Sequence, residues 1–362
     1  MKPSFGSLFA GAGGFDIGFE QAGWECSWQV EWDKNCQKVL SHNWPSVPKY
    51  LDVQTVSGYQ LAPVDTVIFG SPCQDLSVAG RRAGLVGEKS SMFFEATRII
   101  KEMRNATGNQ YPRVAVWENV PGSLTSNKGA DFAAVLDEMA NIGALAIEWH
   151  VLDAQWFGVP QRRRRVFLVA SFDPAIVRRS GQQILPIAEN SAGNLKKIRA
   201  KRGSDSTSFE EGSDESLREL DVFVKARRAQ SSEDYETWES GRPSPTLNAF
   251  DNASESRATV LIVDGTRTND FRVYDDGTVP TLKARMGTGG GQVPLVSRSD
   301  QEYRLRRLTP LECERLMGFP DDHTKYGDNG KVISDTNRYK MIGNAVAVPV
   351  SKWVANNLKQ LI

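Results

Sequence analysis

Apolar positions along the first third of the chain fall into short runs that alternate with helical spacing. Pro3 to Phe9 reads as a short strand that ends in a glycine cluster. Asp16 to Ala22 has helical spacing, with Gly23 as its stop. Cys26 to Val30 is a second strand, closed by Glu31-Trp32-Asp33, and Lys34 to His42 a second helix. Asp65 to Phe69 (DTVIF) and Arg113 to Trp117 (RVAVW) are continuous apolar runs of the kind found in strands covered on both faces. Between them Ser91 to Met103 carries apolar residues at helical spacing; Asp131 to Ile142 reads as a helix and Arg165 to Ser171 as a strand. This alternation predicts an α/β fold with a mostly parallel sheet.

The pattern changes after Pro174. Residues 176–300 are rich in Ser, Gly, Thr, Arg and acidic residues, and Asp205 to Asp221 reads as an acidic, serine-rich loop or insert. Short β-like pieces, Ala258 to Asp264 and Phe271 to Tyr274, predict a smaller irregular domain. Regular spacing returns in Leu308 to Gly318, where Thr309 suits an N-cap, Pro310 the first helical position and Gly318 the stop. A last helix is expected from about Pro349 to Leu361.

Composition narrows the picture modestly. The 362 residues carry 44 Lys+Arg against 44 Asp+Glu, so no global basic field points to nucleic acid, although a local basic cleft remains compatible. No apolar stretch approaches the roughly 18 residues that span a bilayer, and the first residues lack the pattern of a secretory signal. The four cysteines have no metal-ligand or disulfide-framework spacing, which fits a reducing cytoplasm and predicts no metal.

Candidate chemistry gathers where strands end. The turn Leu8-Phe9-Ala10-Gly11-Ala12-Gly13-Gly14 joins a strand to a helix, where glycines let backbone approach a ligand. It departs from the dinucleotide fingerprint, because Gly11 and Gly13 are followed by Asp16 where a third glycine would stand. Glu31, after the second strand, suits ribose hydroxyls, and Asp52 suits an adenine amino group. An adenosyl ligand without phosphates meets these requirements; solvent-facing acids beside a tight turn would give the same pattern. Cys73, in Gly70-Ser71-Pro72-Cys73, follows a buried strand and lies on a carboxyl-end loop. Most lone cysteines are small core residues, as Cys26, Cys36 and Cys313 are expected to be, and a nucleophile needs a lowered thiol pKa. Arg81, Arg82 and Lys89 lie near enough in sequence to supply positive potential. Glu118 closes the strand RVAVW at the same sheet edge. In the run Arg162 to Arg165, alternation sends Arg163 and Arg165 to one face and Arg162 and Arg164 to the other.

Taken in order, SLFAGAGGFDIGFEQAG (7–23), VEWD (30–33), GSPCQDLSVAGRRAGL (70–85), VWENVPG (116–122), FGVPQRRRRVF (157–167), RRLTPLECERLMGFP (306–320) and YKMIGNAVAVPV (339–350) resemble the C5-cytosine DNA methyltransferases of the compact bacterial and phage restriction–modification type. The resemblance covers nearly the whole chain outside the middle region. It implies a Rossmann-like domain for S-adenosylmethionine, formed by 1–175 and 337–362, and a target-recognition domain at 176–336 whose variable part is about 176–300. Cys73 would attack carbon 6 of a flipped cytosine and Glu118 would bind its N3 edge, while Arg163 and Arg165 would contact the flipped nucleotide and a neighbouring phosphate.

On the cofactor side the resemblance implies Phe9 and Trp32 against adenine, Gly11 and Gly13 in the turn, and Glu31 on the ribose. Asp52 with Val53 would hold the adenine, and Asn344 and Ala345 would close the pocket. Gln74, Ser77 and Arg81 fall on the DNA side, the last two within a glycine-hinged lid from Ser77 to Ser90. Candidate base or phosphate contacts in the variable part are Arg267, Arg272, Lys283 and Arg285, beside the glycine loop 287–291. The expected partner is duplex DNA, bound by a monomer with no membrane association; whether a cognate restriction endonuclease accompanies it stays open, as does the target sequence. Transfer-RNA cytosine methylation and a non-catalytic DNA-binding role are the alternatives; the long middle region favours DNA over the first, and intact Cys73 and Glu118 argue against the second.

Overall fold

A computed structural model describes residues 2–72, 92–181, 183–185, 223–227, 237–240, 279, 281–287, 295–298, 304–328 and 330–362 of the chain. Its centre is a seven-stranded sheet. In chain order the strands are β1 (Ser4–Leu8), β2 (Glu25–Val30), β3 (Lys49–Tyr50), β4 (Thr66–Phe69), β5 (Val114–Asn119), β6 (Ala146–Asp153) and β7 (Arg164–Ser171). Their spatial order is β3-β2-β1-β4-β5-β7-β6. Neighbours from β3 to β5 pair in parallel, and β7 alone runs against the rest, antiparallel to both β5 and β6.

β4 and β5 are buried at every position, which accounts for their unbroken apolar runs. Alternation along the strands divides two cores between the sheet faces. Phe5, Ile68, Val116 and Phe167 face one, while Leu8, Val67, Trp117 and Leu168 face the other. Helix α1 (Gly14–Gln21) and helix α2 (Lys34–Asn43) serve the first face; α3 (Met92–Ala106) and α4 (Ala130–Asn141) serve the second. A short seven-residue helix, α5 (Pro174–Ser180), follows β7.

The end of the chain returns to the first face. Helix α6 (Pro310–Met317) starts with the expected cap, as Thr309 Oγ1 accepts from Glu312 N at 3.2 Å and Glu312 Oε2 accepts from Thr309 N at 2.8 Å. Gly318 ends it in the left-handed region at φ 75. Helix α7 (Asp335–Asn344) precedes α8 (Val348–Leu361), and α8 packs along α1. Trp24 Nε1 donates to Ala355 O at 3.1 Å and Ser351 Oγ to Phe15 O at 2.8 Å across that interface.

Ile176, Leu282, Cys313, Met317, Phe319 and Ile333 share the apolar cluster of α1 and α8, so the core runs unbroken across the expected boundaries at 176 and 337. Two antiparallel ribbons, β8 (Phe223–Arg227) with β9 (Thr237–Ser240) and β10 (Leu295–Arg298) with β11 (Arg304–Arg307), stand apart from the large sheet. The strand pieces expected at 258–264 and 271–274 lie outside the described residues. Among the described residues no helix is long and apolar enough to cross a membrane.

Candidate active site

The order of the sheet reverses between β1 and β4, and ligands of open parallel sheets bind outside the strand carboxyl ends at such a point. The turn after β1 is held in a costly conformation. Phe9 takes a positive φ of 55, which for a bulky residue costs on the order of 1–3 kcal/mol and persists only where its surroundings enforce it. Gly11 (φ 58) has open space where a side chain would be, whereas a side chain on Gly13 (φ 83) would meet the Trp44 ring at 2.5 Å.

Glu31 closes this turn from β2. Its Oε2 accepts from Gly11 N and its Oε1 from Asp33 N, both at 2.7 Å. Burial pushes the Glu31 carboxyl up from its ordinary value, against the pull of those backbone N–H groups. Trp32 beside it is 73% exposed, an apolar ring with an uncovered face. Glu31 N also donates to Tyr50 O at 3.0 Å, which brings the loop after β3 alongside. There Asp52 Oδ1 accepts from Gln54 N at 2.9 Å and Val53 is buried. Asn344 is exposed at the end of α7, and Ala345 is buried just beyond it. Val346 O crosses over Gly14, where an added Cβ would lie 2.4 Å away. Thus Gly11, Glu31 and the segment Tyr50–Val53 meet at one end of the sheet, with Val346 crossing over Gly14 from the end of the chain.

Two supports of this pocket were not apparent in the sequence. His323 is buried between Trp44 and Phe319, with Nε2 2.7 Å from Ala12 O. A carbonyl oxygen only accepts, so this nitrogen carries the proton, and burial lowers the pKa and favours the neutral ring. Arg98 of α3 donates to Val53 O at 3.0 Å and Val56 O at 2.9 Å, while pairing with Glu95 and Glu102. Neither contact to the pocket has a local sequence signature, because Ala12, Val53 and Val56 are remote in the chain from the side chains that hold them.

The second half of the site lies at the ends of β4, β5 and β7. Glu118 is 8% exposed, and Arg165 Nε lies 3.0 Å from its Oε1. Burial raises the Glu118 pKa, with Arg165 and then Arg163 pulling it down. The other oxygen, Oε2, faces Gly70, where a Cβ would stand 3.3 Å from it. Ser71 is pinned over β5: Trp117 Nε1 donates to its Oγ at 3.0 Å and Asn119 Nδ2 to its O at 3.2 Å. The segment Gly70–Ser71 is therefore held against the end of β5, with Gly70 beside Glu118. Cys73 itself lies outside the described residues, as do Gln74, Ser77, Arg81 and the expected lid. Cys26, Cys36 and Cys313 are buried free thiols whose pKa is raised by burial, as expected of inert core cysteines.

The arginine run alternates as the pattern predicts, with Arg162 and Arg164 exposed and Arg163 and Arg165 turned inward. Arg163, expected with Arg165 to meet the flipped nucleotide and a neighbouring phosphate, is packed against protein in this structure. Its guanidinium is 2% exposed and donates to three backbone oxygens: Leu282 O at 3.0 Å, Gly343 O at 3.2 Å and Ala345 O at 2.6 Å. Alternation fixes the side to which a residue points, and here that side is packed protein. Of the expected DNA contacts, Lys283 is exposed and Arg285 falls in a 3-10 turn, Ala284–Gly287. Arg267 and Arg272 lie outside the described residues, with most of the glycine loop.

Known proteins place this geometry. Among solved structures, a methyltransferase called Dnmt2 from S. pombe matches 99% of this chain and 98% of its own, with a TM-score of 0.60 at 17% identity. At that identity the match speaks for the fold. Among curated sequences, the type II methyltransferase M.BsuFI of Bacillus subtilis is 29% identical over 99% of this chain and 73% of its own length. M.HhaI of Haemophilus parahaemolyticus is 26% identical over 98% of this chain and 93% of its own. A protein of Escherichia phage P1 named DNA N-6-adenine-methyltransferase is 27% identical over 99% of this chain, which spans 61% of that protein's length. The profile of C-5 cytosine-specific DNA methylases matches residues 4–360, and with that span the chain belongs to this family of DNA cytosine-5 methyltransferases.

Proposed function

We propose that the protein methylates carbon 5 of a cytosine flipped out of duplex DNA, through a covalent bond between Cys73 and carbon 6. The observation that carries this reading is the buried Glu118, paired with Arg165 and facing the Gly70–Ser71 segment that leads to Cys73. Carbon 5 of cytosine is a weak nucleophile while the ring is aromatic. Addition of the Cys73 thiolate at carbon 6 interrupts the conjugation and leaves carbon 5 enamine-like. Glu118 binds the N3 edge and donates a hydrogen bond or proton as charge develops there; its raised pKa keeps the protonated form present at higher pH than an ordinary glutamate allows. Loss of the carbon-5 proton and departure of the Cys73 thiolate then restore aromaticity. Flipping the base costs roughly a few kcal/mol of unstacking, which contacts to the extruded nucleotide must offset.

S-adenosylmethionine, when bound, supplies an electrophilic methyl group. The chain fits it at the turn after β1, where Gly11 leaves space for close backbone approach and the exposed face of Trp32 is available to adenine. Glu31 keeps lone pairs for ribose hydroxyls beyond the two backbone donors it already accepts. Asp52 and Val53 would flank the adenine, with Asn344 and Ala345 near the methionine part. The variable part of 176–300 would read the DNA sequence, with Lys283 and Arg285 at its edge nearest the sheet.

Duplex DNA with 5-fluorocytosine in the target site blocks loss of the carbon-5 substituent and traps the covalent complex. Wild-type protein should form a complex that survives denaturing electrophoresis, and Cys73→Ala should form none. A Cys73→Ala protein that still forms the complex would sink the nucleophile assignment. Bisulfite sequencing of DNA from cells that express the protein would identify the target sequence.

A further inference from the structure

Arg163 stands where three segments meet. On one side, residues 160–162 are stitched to residues late in the variable part. Val279 N donates to Pro160 O at 2.8 Å, Arg162 N to Val279 O at 2.9 Å, and Leu282 N to Gln161 Oε1 at 3.3 Å. Arg163 extends this seam by donating from Nη1 to Leu282 O. On the other side its Nη2 holds Gly343 O and Ala345 O, at the cofactor-side end of α7. Those two sides also touch directly, since a Cβ on Gly343 would fall 2.2 Å from the Lys283 carbonyl carbon. Two positions further along the strand, Arg165 pairs with Glu118.

A buried guanidinium held by carbonyl oxygens is costly, because dipoles replace only part of its lost hydration. Its Nε has no partner among the described residues. A surface contact to DNA phosphate would require neither that burial nor three carbonyls from two separate segments.

We propose that Arg163 is a positioning residue that locks the cofactor-side end of α7, residues 343–345, to the segment 279–284, so that DNA engagement and cofactor binding are coupled through one buried side chain. This rests on the reading of the protein as a cofactor-dependent DNA methyltransferase, with 279–284 on the DNA side.

The test is calorimetric titration of S-adenosylhomocysteine into the full-length protein, alone and with duplex DNA. Arg163→Met should weaken binding by about tenfold or more, the scale of lost charged hydrogen bonds, and remove any effect of DNA on that affinity. Arg163→Lys, which keeps the charge and reaches fewer oxygens, should recover part of the affinity. Arg165→Met, whose partner is Glu118, should bind S-adenosylhomocysteine within about twofold of wild type. Wild-type affinity in Arg163→Met would overturn the proposal and return Arg163 to a substrate-contact role.

Should Arg163→Met fail to fold, amide hydrogen exchange on the wild-type protein decides. S-adenosylhomocysteine should slow exchange in 281–286 as well as in 343–346, and slowing confined to 343–346 overturns the coupling. A wild-type protein that binds S-adenosylhomocysteine but methylates no DNA would defeat the functional reading while leaving this assignment standing.

Discussion

Glu31, half-buried, and Glu118, buried, both carry carboxyl groups at strand ends of one sheet, and desolvation raises the pKa of both. Their partners differ. Glu31 is held by two backbone N–H groups at 2.7 Å, which fix each oxygen in place without a counter-charge. Glu118 is held on one oxygen by the Arg165 guanidinium, and its other oxygen faces the glycine before the Cys73 loop. Backbone donors suit a group that must present the same lone pairs to every ligand. An arginine partner suits a group whose protonation changes during reaction, because the pairing can strengthen or weaken as charge moves.

The contrast is open to attack at several points. The largest expected effect is at Glu118: Glu118→Gln should lower methyl transfer by about 10²- to 10⁴-fold, with S-adenosylhomocysteine affinity unchanged. If titration instead found that affinity reduced in step with activity, the two glutamates would share one role. Glu31→Ala should weaken cofactor binding by about 1–3 kcal/mol and leave the rate at saturating cofactor nearly intact. A fall in the saturated rate with unchanged affinity would reverse the assignments.

Gly343→Ala tests the seam between the two halves. Its Cβ would fall 2.2 Å from the Lys283 carbonyl carbon, so denaturant unfolding should register a loss of about 1–3 kcal/mol as the backbones part.

The smallest effect concerns Asp16, beneath the cofactor turn, which accepts from Gln29 Nε2 at 2.8 Å and Ser7 Oγ at 3.1 Å. Burial raises its pKa from 3.8 to about 6, so the folded state holds the proton more tightly than the unfolded chain. Stability from this group is therefore fully present below about pH 4, declines as pH rises through about 6, and stays low above. Asp16→Asn should flatten that slope and gain about 1 kcal/mol at pH 7. A slope unchanged between pH 4 and 7 in urea titrations would assign it to other groups.

The elements that sequence makes legible are those whose pattern follows from their own burial. β4 and β5 are apolar throughout because both faces are covered, and the Thr309–Glu312 cap needs only four consecutive residues. β6 escaped because AIEWHVLD mixes polar and apolar positions on a half-exposed edge strand, where Glu148 Oε1 accepts from Leu185 N and Trp149 is 42% exposed. α7 escaped because Arg338 inside it is buried against Glu314, so a charged letter stands where a helical pattern would show an apolar one. Within the site, the arginine alternation was readable in its period, but the carbonyls waiting for Arg163 come from residues more than a hundred positions away. His323 and its Ala12 partner are separated by 311 positions.

Trp32 turns these questions into an optical one. Its indole is 73% open to water, whereas Trp24, Trp28, Trp44 and Trp117 are sealed in the cores. Emission from Trp32 should lie to the red of theirs and be open to collisional quenching by iodide. A ligand ring laid on that indole would shield it from the quencher and dim its emission, so the chain carries its own reporter of cofactor occupancy with no label attached.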